Sequence, residues 1–201
     1  MTTLDDIRKA LPAYARDLDL NLASVLAPSG SPGLSERQIW AVGLSSAIAA
    51  RNTEFAGAIE RLAAAHLAAS ELDAARAAAG IMGMNNVYYR FLHLVEDPEY
   101  RQMPARLRMN VIANPGIDRA DFELCSLAVS AINGCGACVA SHERQIRKHG
   151  LGRESVQSAV RIAAVVHAVA GVLEYGSRAA AAPTAPTATT TTTTTTTTAA
   201  A

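Results

Sequence analysis

The Asn133-Gly134 step constrains this chain more than any other feature. It follows the apolar run Phe122 to Ile132 and precedes Cys135-Gly136-Ala137-Cys138-Val139-Ala140-Ser141-His142. Asn and Gly both tolerate the left-handed backbone that ends helices, so one helix is predicted to stop there and another to begin at Cys135. In one unbroken helix Glu123 and Cys135 would stand about 18 Å apart, too far for contact. If the chain instead reverses into an antiparallel pair, Glu123 falls opposite residues 143 to 144, beside His142.

Within the second helix, the i, i+4 spacing places Cys138 and His142 one turn apart on one face, a thiol next to a base. A cysteine in the first turn also meets unpaired N–H groups and the positive end of the helix dipole, both of which favour thiolate. The dipole favours ionising Cys135 and the adjacent imidazole favours Cys138; the residues alone leave the choice open. Cβ atoms at i and i+3 of a regular helix lie about 5 to 6 Å apart, against about 3.8 Å in a disulfide. A Cys135–Cys138 bond therefore needs local adjustment, easiest in a fraying first turn, and is expected to be strained and reversible.

Abundant alanine, few aromatics and no β-branched alternation before the C-terminal end make the chain all-α. Thr3 and Ser35 are predicted N-caps, Pro12 a restart, Ala27 to Gly33 a loop and Arg51-Asn52-Thr53 a turn. Further helices are expected over 54–68, over 71–95 with Ser70 as cap, after an Asp118 cap, and from Gly152 to Gly176 with His149-Gly150 ending the cysteine helix. Gly80 and Gly83 are read as close helix contacts or a kink. At an offset of 84, Ser46-Ala47-Ile48 meets Ser130-Ala131-Ile132 and Ile39 meets Glu123. That match points to an internal duplication in which only the second unit keeps the cysteines and histidine. Residues 1–178 are expected to form one domain. Residues 179–201, with ten consecutive threonines from Thr189 to Thr198, are expected to be a disordered tail.

Eighteen basic residues balance eighteen acidic ones, which argues against a nucleic-acid partner. Asp5, Asp6, Arg8 and Lys9 precede any apolar run, so neither a secretory signal nor a membrane anchor is expected, and the expected compartment is the cytoplasm. In that compartment three cysteines indicate catalysis or metal rather than a structural disulfide framework. Zinc on Cys135, Cys138 and His142 needs a fourth ligand. Cys125 is the candidate, but two residues from Glu123 it points to nearly the opposite helix face, so Glu123 is assigned to the site, Cys125 to the core, and no metal is expected. His66, His93, His149 and His167 are read as ordinary histidines, Met82, Met84 and Met109 as core filling, and Arg144, Arg147 and Lys148 as a solvated face.

Four blocks carry a family resemblance: Glu123-x11-Cys135-x2-Cys138-x3-His142, Ile81 to Tyr89, Met109 to Ile117, and Ser130 to Cys135. In order and spacing they resemble alkyl hydroperoxidase D, within the carboxymuconolactone-decarboxylase-like group, over roughly residues 1 to 176. The resemblance implies an all-helical, duplicated subunit in a homotrimer. It implies an antioxidant peroxidase that reduces organic hydroperoxides and a partner peroxiredoxin. No cofactor is bound; dihydrolipoamide is the electron-donating co-substrate, held on a 2-oxoacid dehydrogenase subunit and recharged by dihydrolipoamide dehydrogenase. By the same resemblance Cys138 is the thiol that attacks peroxide, Cys135 resolves it to a redox disulfide, and Glu123 with His142 relays protons. The chain departs at Ala137, where many members carry histidine. Alternative readings are a redox sensor or a zinc site built on the same cysteines, or a decarboxylase of the wider group, which needs no dithiol.

Overall fold

The computed structural model describes residues 3–181, and among them no strand occurs. Ten α-helices follow one another: α1 (Leu4–Lys9), α2 (Arg16–Val25), α3 (Glu36–Ala49), α4 (Thr53–Ala63), α5 (Ala69–Leu94), α6 (Glu99–Gln102), α7 (Asn110–Ala113), α8 (Arg119–Ile132), α9 (Gly136–Lys148) and α10 (Arg153–Ala181). The helix α10 continues past both Gly176 and the expected domain end at 178. The rest of the expected tail, 182–201, lies outside the described residues.

The helix starts follow the capping chemistry. Thr3 and Asp6 form a reciprocal box on α1, as do Ser35 and Gln38 on α3. Asn52 caps α4 by accepting from the Phe55 N–H at 2.9 Å, and Asp118 caps α8 by accepting from the Ala120 N–H at 2.8 Å. The expectation fails at Ser70. Helix α5 begins two residues earlier, because the Glu71 carboxylate reaches back to accept from the Ala68 N–H at 2.7 Å and fixes the first turn without a capping hydroxyl. Likewise α4 ends at Ala63, short of the expected 68. Helix α5 runs unbroken through Gly80 and Gly83, and neither sits against another helix, since a Cβ at either would meet nothing within 4 Å.

Two helices are buried on every face and form the centre. All residues from Ile39 to Ala47 of α3 are buried, as are those from Phe122 to Ser130 of α8. Around this pair pack α5 and α10, each touching both central helices, while α4 lies on α3, α9 lies on α8, and α2 lies on α10. Helix α10 buries Ala159, Ile162, Ala163, Val166, Val169 and Ala170 at helical spacing, the stripe of a core helix. Although its length and hydropathy would suffice to cross a membrane, that stripe is spent on α2, α3 and α8.

The internal duplication appears as two three-helix units, α3–α4–α5 and α8–α9–α10. Their helices begin at 36, 53 and 69 in the first and at 119, 136 and 153 in the second. Caps Ser35 and Asp118, caps Asn52 and Cys135, and the left-handed residues Arg51 (φ 66°) and Gly134 (φ 69°) all align at an offset of 83. The offset of 84 holds only for the third helix. The matching Ser-Ala-Ile strings thus lie one position out of structural register, and the residue opposite Glu123 is Trp40 rather than Ile39.

Candidate active site

The chain turns at Asn133, the C-cap of α8, and at left-handed Gly134, and α9 then packs back along α8. This reversal brings Glu123 and His142 together: Glu123 Oε2 lies 2.6 Å from His142 Nδ1. The carboxylate is only 2% exposed, which alone would make its ionised form costly. Arg119, one turn earlier on α8, donates from Nε to Glu123 Oε1 at 3.1 Å and also donates to the Ile112 carbonyl. Burial pushes the Glu123 carboxyl up, but the hydrogen bond and charge of His142 and the guanidinium of Arg119 outweigh it, leaving the group below its ordinary value. The carboxylate is thus held ionised, fixing the imidazole and leaving its other nitrogen available.

Cys135 occupies the N-cap of α9 with non-helical backbone (φ −92°, ψ 89°), and its sulfur accepts from the Cys138 N–H at 3.3 Å. It is joined to Cys138 in a disulfide across a Cα separation of 5.3 Å. The local adjustment that an i, i+3 bond needs is supplied by this departure from helix geometry at the cap. The two sulfurs are not equivalent: Cys135 is 0% exposed, whereas Cys138 is 7% exposed and opens into a cleft.

That cleft has a volume of about 500 Å³ and brings together the separated sequence blocks. Met82, Asn85 and Tyr89 come from α5, Met109 and Ile112 from the α7 segment, Arg119 and Glu123 from α8, and Cys138, Ser141 and His142 from α9. Tyr89 Oη contacts Met109 Sδ at 3.9 Å, linking two of the walls. Met82 is core, as expected, but Met109 is only half-buried and lines the cleft. Ala137 and Arg144 also line it. Arg119 escaped the sequence reading, although its opposite charge four residues before Glu123 was a legible i, i+4 signal. Asn85 and Tyr89 left no such signal, because they reach the site only through packing of α5 on α8 and α9.

Other candidates fall outside the site. Cys125 is fully buried in α8, and burial pushes its thiol up to about 12. Among the described residues no three His, Cys, Asp or Glu side chains cluster as a metal site requires. His149 is the C-cap of α9, and His66 stacks on Trp40 with ring centroids 4.8 Å apart.

The fold is an all-helical duplicated unit that holds a Cys-x-x-Cys pair and a buried Glu–His pair, and comparisons with known proteins give its family. Residues 98–182 match the carboxymuconolactone decarboxylase family, a span that takes in the second three-helix unit. Over 172 residues the chain is 52% identical to the alkyl hydroperoxide reductase AhpD of Rhodospirillum centenum, covering 86% of this chain and 91% of the relative. It is 53% identical over 171 residues to the protein of that name from Maricaulis maris, covering 85% and 97%. With that of Coxiella burnetii it shares 53% over 169 residues, covering 84% and 96%. The chain belongs to the AhpD family.

Proposed function

We propose that this protein is an antioxidant dithiol peroxidase that reduces alkyl hydroperoxides, the activity named in its relatives. One observation carries the mechanism: Cys138, not Cys135, opens into the cleft that also holds the Glu123–His142 pair. In the reduced protein, the Cys138 thiolate attacks the terminal oxygen of R–O–O–H. The S–O bond forms, the O–O bond breaks, and the alkoxide leaves with the electron pair and takes a proton delivered through His142, which Glu123 orients. Cys135 then attacks the sulfenic sulfur, water departs, and the disulfide closes. Two thiols lose two electrons and the peroxide gains them.

The Cys135–Cys138 bond must then be reopened by thiol exchange. A dihydrolipoyl group on a 2-oxoacid dehydrogenase subunit, recharged by dihydrolipoamide dehydrogenase, is the donor in this proposal, and a peroxiredoxin is a second client of the reduced dithiol. Exposed Arg144 at the cleft supports docking of an acidic lipoyl-bearing surface. The row of exposed Val87, Phe91 and Leu94 on α5, beside the open faces of Gly80 and Gly83, supports a homotrimer. The compartment proposed is the cytoplasm.

The deciding experiment is intact-mass measurement of fully reduced protein before and after one equivalent of tert-butyl hydroperoxide, with metal analysis of the same sample. Loss of two hydrogens without bound zinc is expected. An unchanged mass, or stoichiometric zinc on the cysteines, overturns the proposal. Repeated turnover with dihydrolipoamide separates the enzyme from a sensor, which oxidises once and stops.

A further inference from the structure

Asn85 projects from the middle of α5 into the wall of the Cys138 cleft and is 4% exposed. Among the described residues its side-chain carbonyl accepts no hydrogen bond. The neighbouring Asn86 is its opposite. There Nδ2 donates to Ser130 Oγ at 2.9 Å, and Oδ1 accepts from Asn133 Nδ2 at 3.0 Å, so that amide is consumed in holding α5 to the turn between α8 and α9. Ser46 and Ser126 also bury unpartnered oxygens, but they lie in the central helices and do not line the Cys138 cleft. A buried, unsatisfied amide calls for an explanation, which an unspent donor and acceptor in the wall of the cleft that Cys138 enters supplies.

A hydroperoxide presents the matching pattern. Its terminal oxygen carries the one O–H donor, and its inner oxygen accepts a hydrogen bond and gains negative charge as the O–O bond breaks. We propose that Asn85 is the residue that holds the hydroperoxide group against Cys138, its carbonyl accepting from the terminal O–H and its amide N–H donating to the inner oxygen. This rests on the peroxidase function proposed above. The role suits a neutral amide: it binds both oxygens without offering a proton that would quench the thiolate, and leaves the proton transfer to His142. The alkyl group would lie on Met82, Met109 and Ile112.

The test compares three single-turnover reactions of wild type and Asn85→Ala. These are oxidation of the reduced protein by tert-butyl hydroperoxide, alkylation of Cys138 by iodoacetamide, and reduction of the disulfide by dihydrolipoamide. The variant is expected to oxidise about ten- to a hundredfold more slowly, the effect of losing one hydrogen bond to a charged oxygen. Alkylation and disulfide reduction, which involve no O–O group, should stay within about twofold. Oxidation at the wild-type rate overturns the assignment. So does a parallel fall in alkylation, because Asn85 would then act on the thiol and not on the peroxide. If Asn85→Ala does not fold, Asn85→Leu, close in volume, serves with the same criteria. A wild-type protein inert to the hydroperoxide overturns the peroxidase function itself, and this assignment with it.

Discussion

The two three-helix units share caps, turns and packing but place opposite chemistry at matching positions. In the second unit Glu123, Cys138 and His142 face one cleft, and Cys135 is bonded to Cys138 behind it. At the offset of 83 the first unit has Trp40, Asn52, Phe55 and Ile59. Trp40, Phe55 and Ile59 are buried in the hydrophobic core. Asn52 caps α4 and also donates from Nδ2 to the Ala170 carbonyl at 3.3 Å and to Glu174 at 3.1 Å, tying its turn to α10. The scaffold therefore closes with three apolar side chains and a capping amide at the positions that match Glu123, Cys138, His142 and Cys135. A buried carboxylate, an imidazole and two sulfurs are not needed to build such a unit. They burden it with a buried charge that Arg119 and His142 compensate, and the proposed peroxidase chemistry accounts for their presence.

The largest effect should come from the sulfurs. Cys138→Ser and Cys135→Ser are each expected to abolish hydroperoxide turnover with dihydrolipoamide as donor. Serine is itself a good N-cap, so Cys135→Ser should melt where the reduced wild type melts. Residual steady turnover in either variant would erase the functional contrast between the units. Next come His142→Phe and Glu123→Phe, expected to slow peroxide reduction by about 10²- to 10⁴-fold, the range of a lost general acid or base. A wild-type rate in both would remove the relay.

Phe55→Ala, in the position matching Cys138, should leave reactivity alone and lower stability by about 3–5 kcal/mol, read by urea unfolding. A loss of peroxidase rate in the folded variant would show that the first unit shares the chemistry. A smaller effect is expected from acid. Because the folded Glu123 carboxyl lies below its ordinary value of 4.5, its stabilisation is complete above that pH and is lost as pH falls through the folded value. Wild type should lose stability in that window more steeply than Glu123→Gln, by at most about 1.4 kcal/mol per pH unit. Parallel acid profiles would mean that Glu123 is not held ionised. Smallest, Asn52→Ala should cost about 1 kcal/mol in thermal unfolding, the usual worth of a cap.

The turn at Asn133-Gly134 was legible because backbone conformation there depends on residue type: Gly134 adopts φ 69° as its lack of a Cβ permits. Once that reversal is granted, Glu123 beside His142 follows from spacing alone, and the structure gives 2.6 Å. Caps at Thr3, Ser35 and Asp118 were equally local. Ser70 misled for the converse reason: a capping residue type was present, yet the Glu71 carboxylate started the helix two residues earlier. The duplication was visible, but its register was one residue off, because alanine-rich strings match at several offsets whereas caps and left-handed turns match at one.

The sequence by itself determined that the chain is all-helical, where it reverses, and that a thiol, an imidazole and a carboxylate meet at that reversal. These depend on backbone preferences and on spacings of a few residues, which neighbouring positions set. Only the tertiary structure decided which sulfur an entering molecule meets, and that Met82, Asn85 and Tyr89 close the cleft. Access and enclosure depend on how α5 lies across α8 and α9. Helices dozens of residues apart in the chain come into register only when the whole apolar core packs.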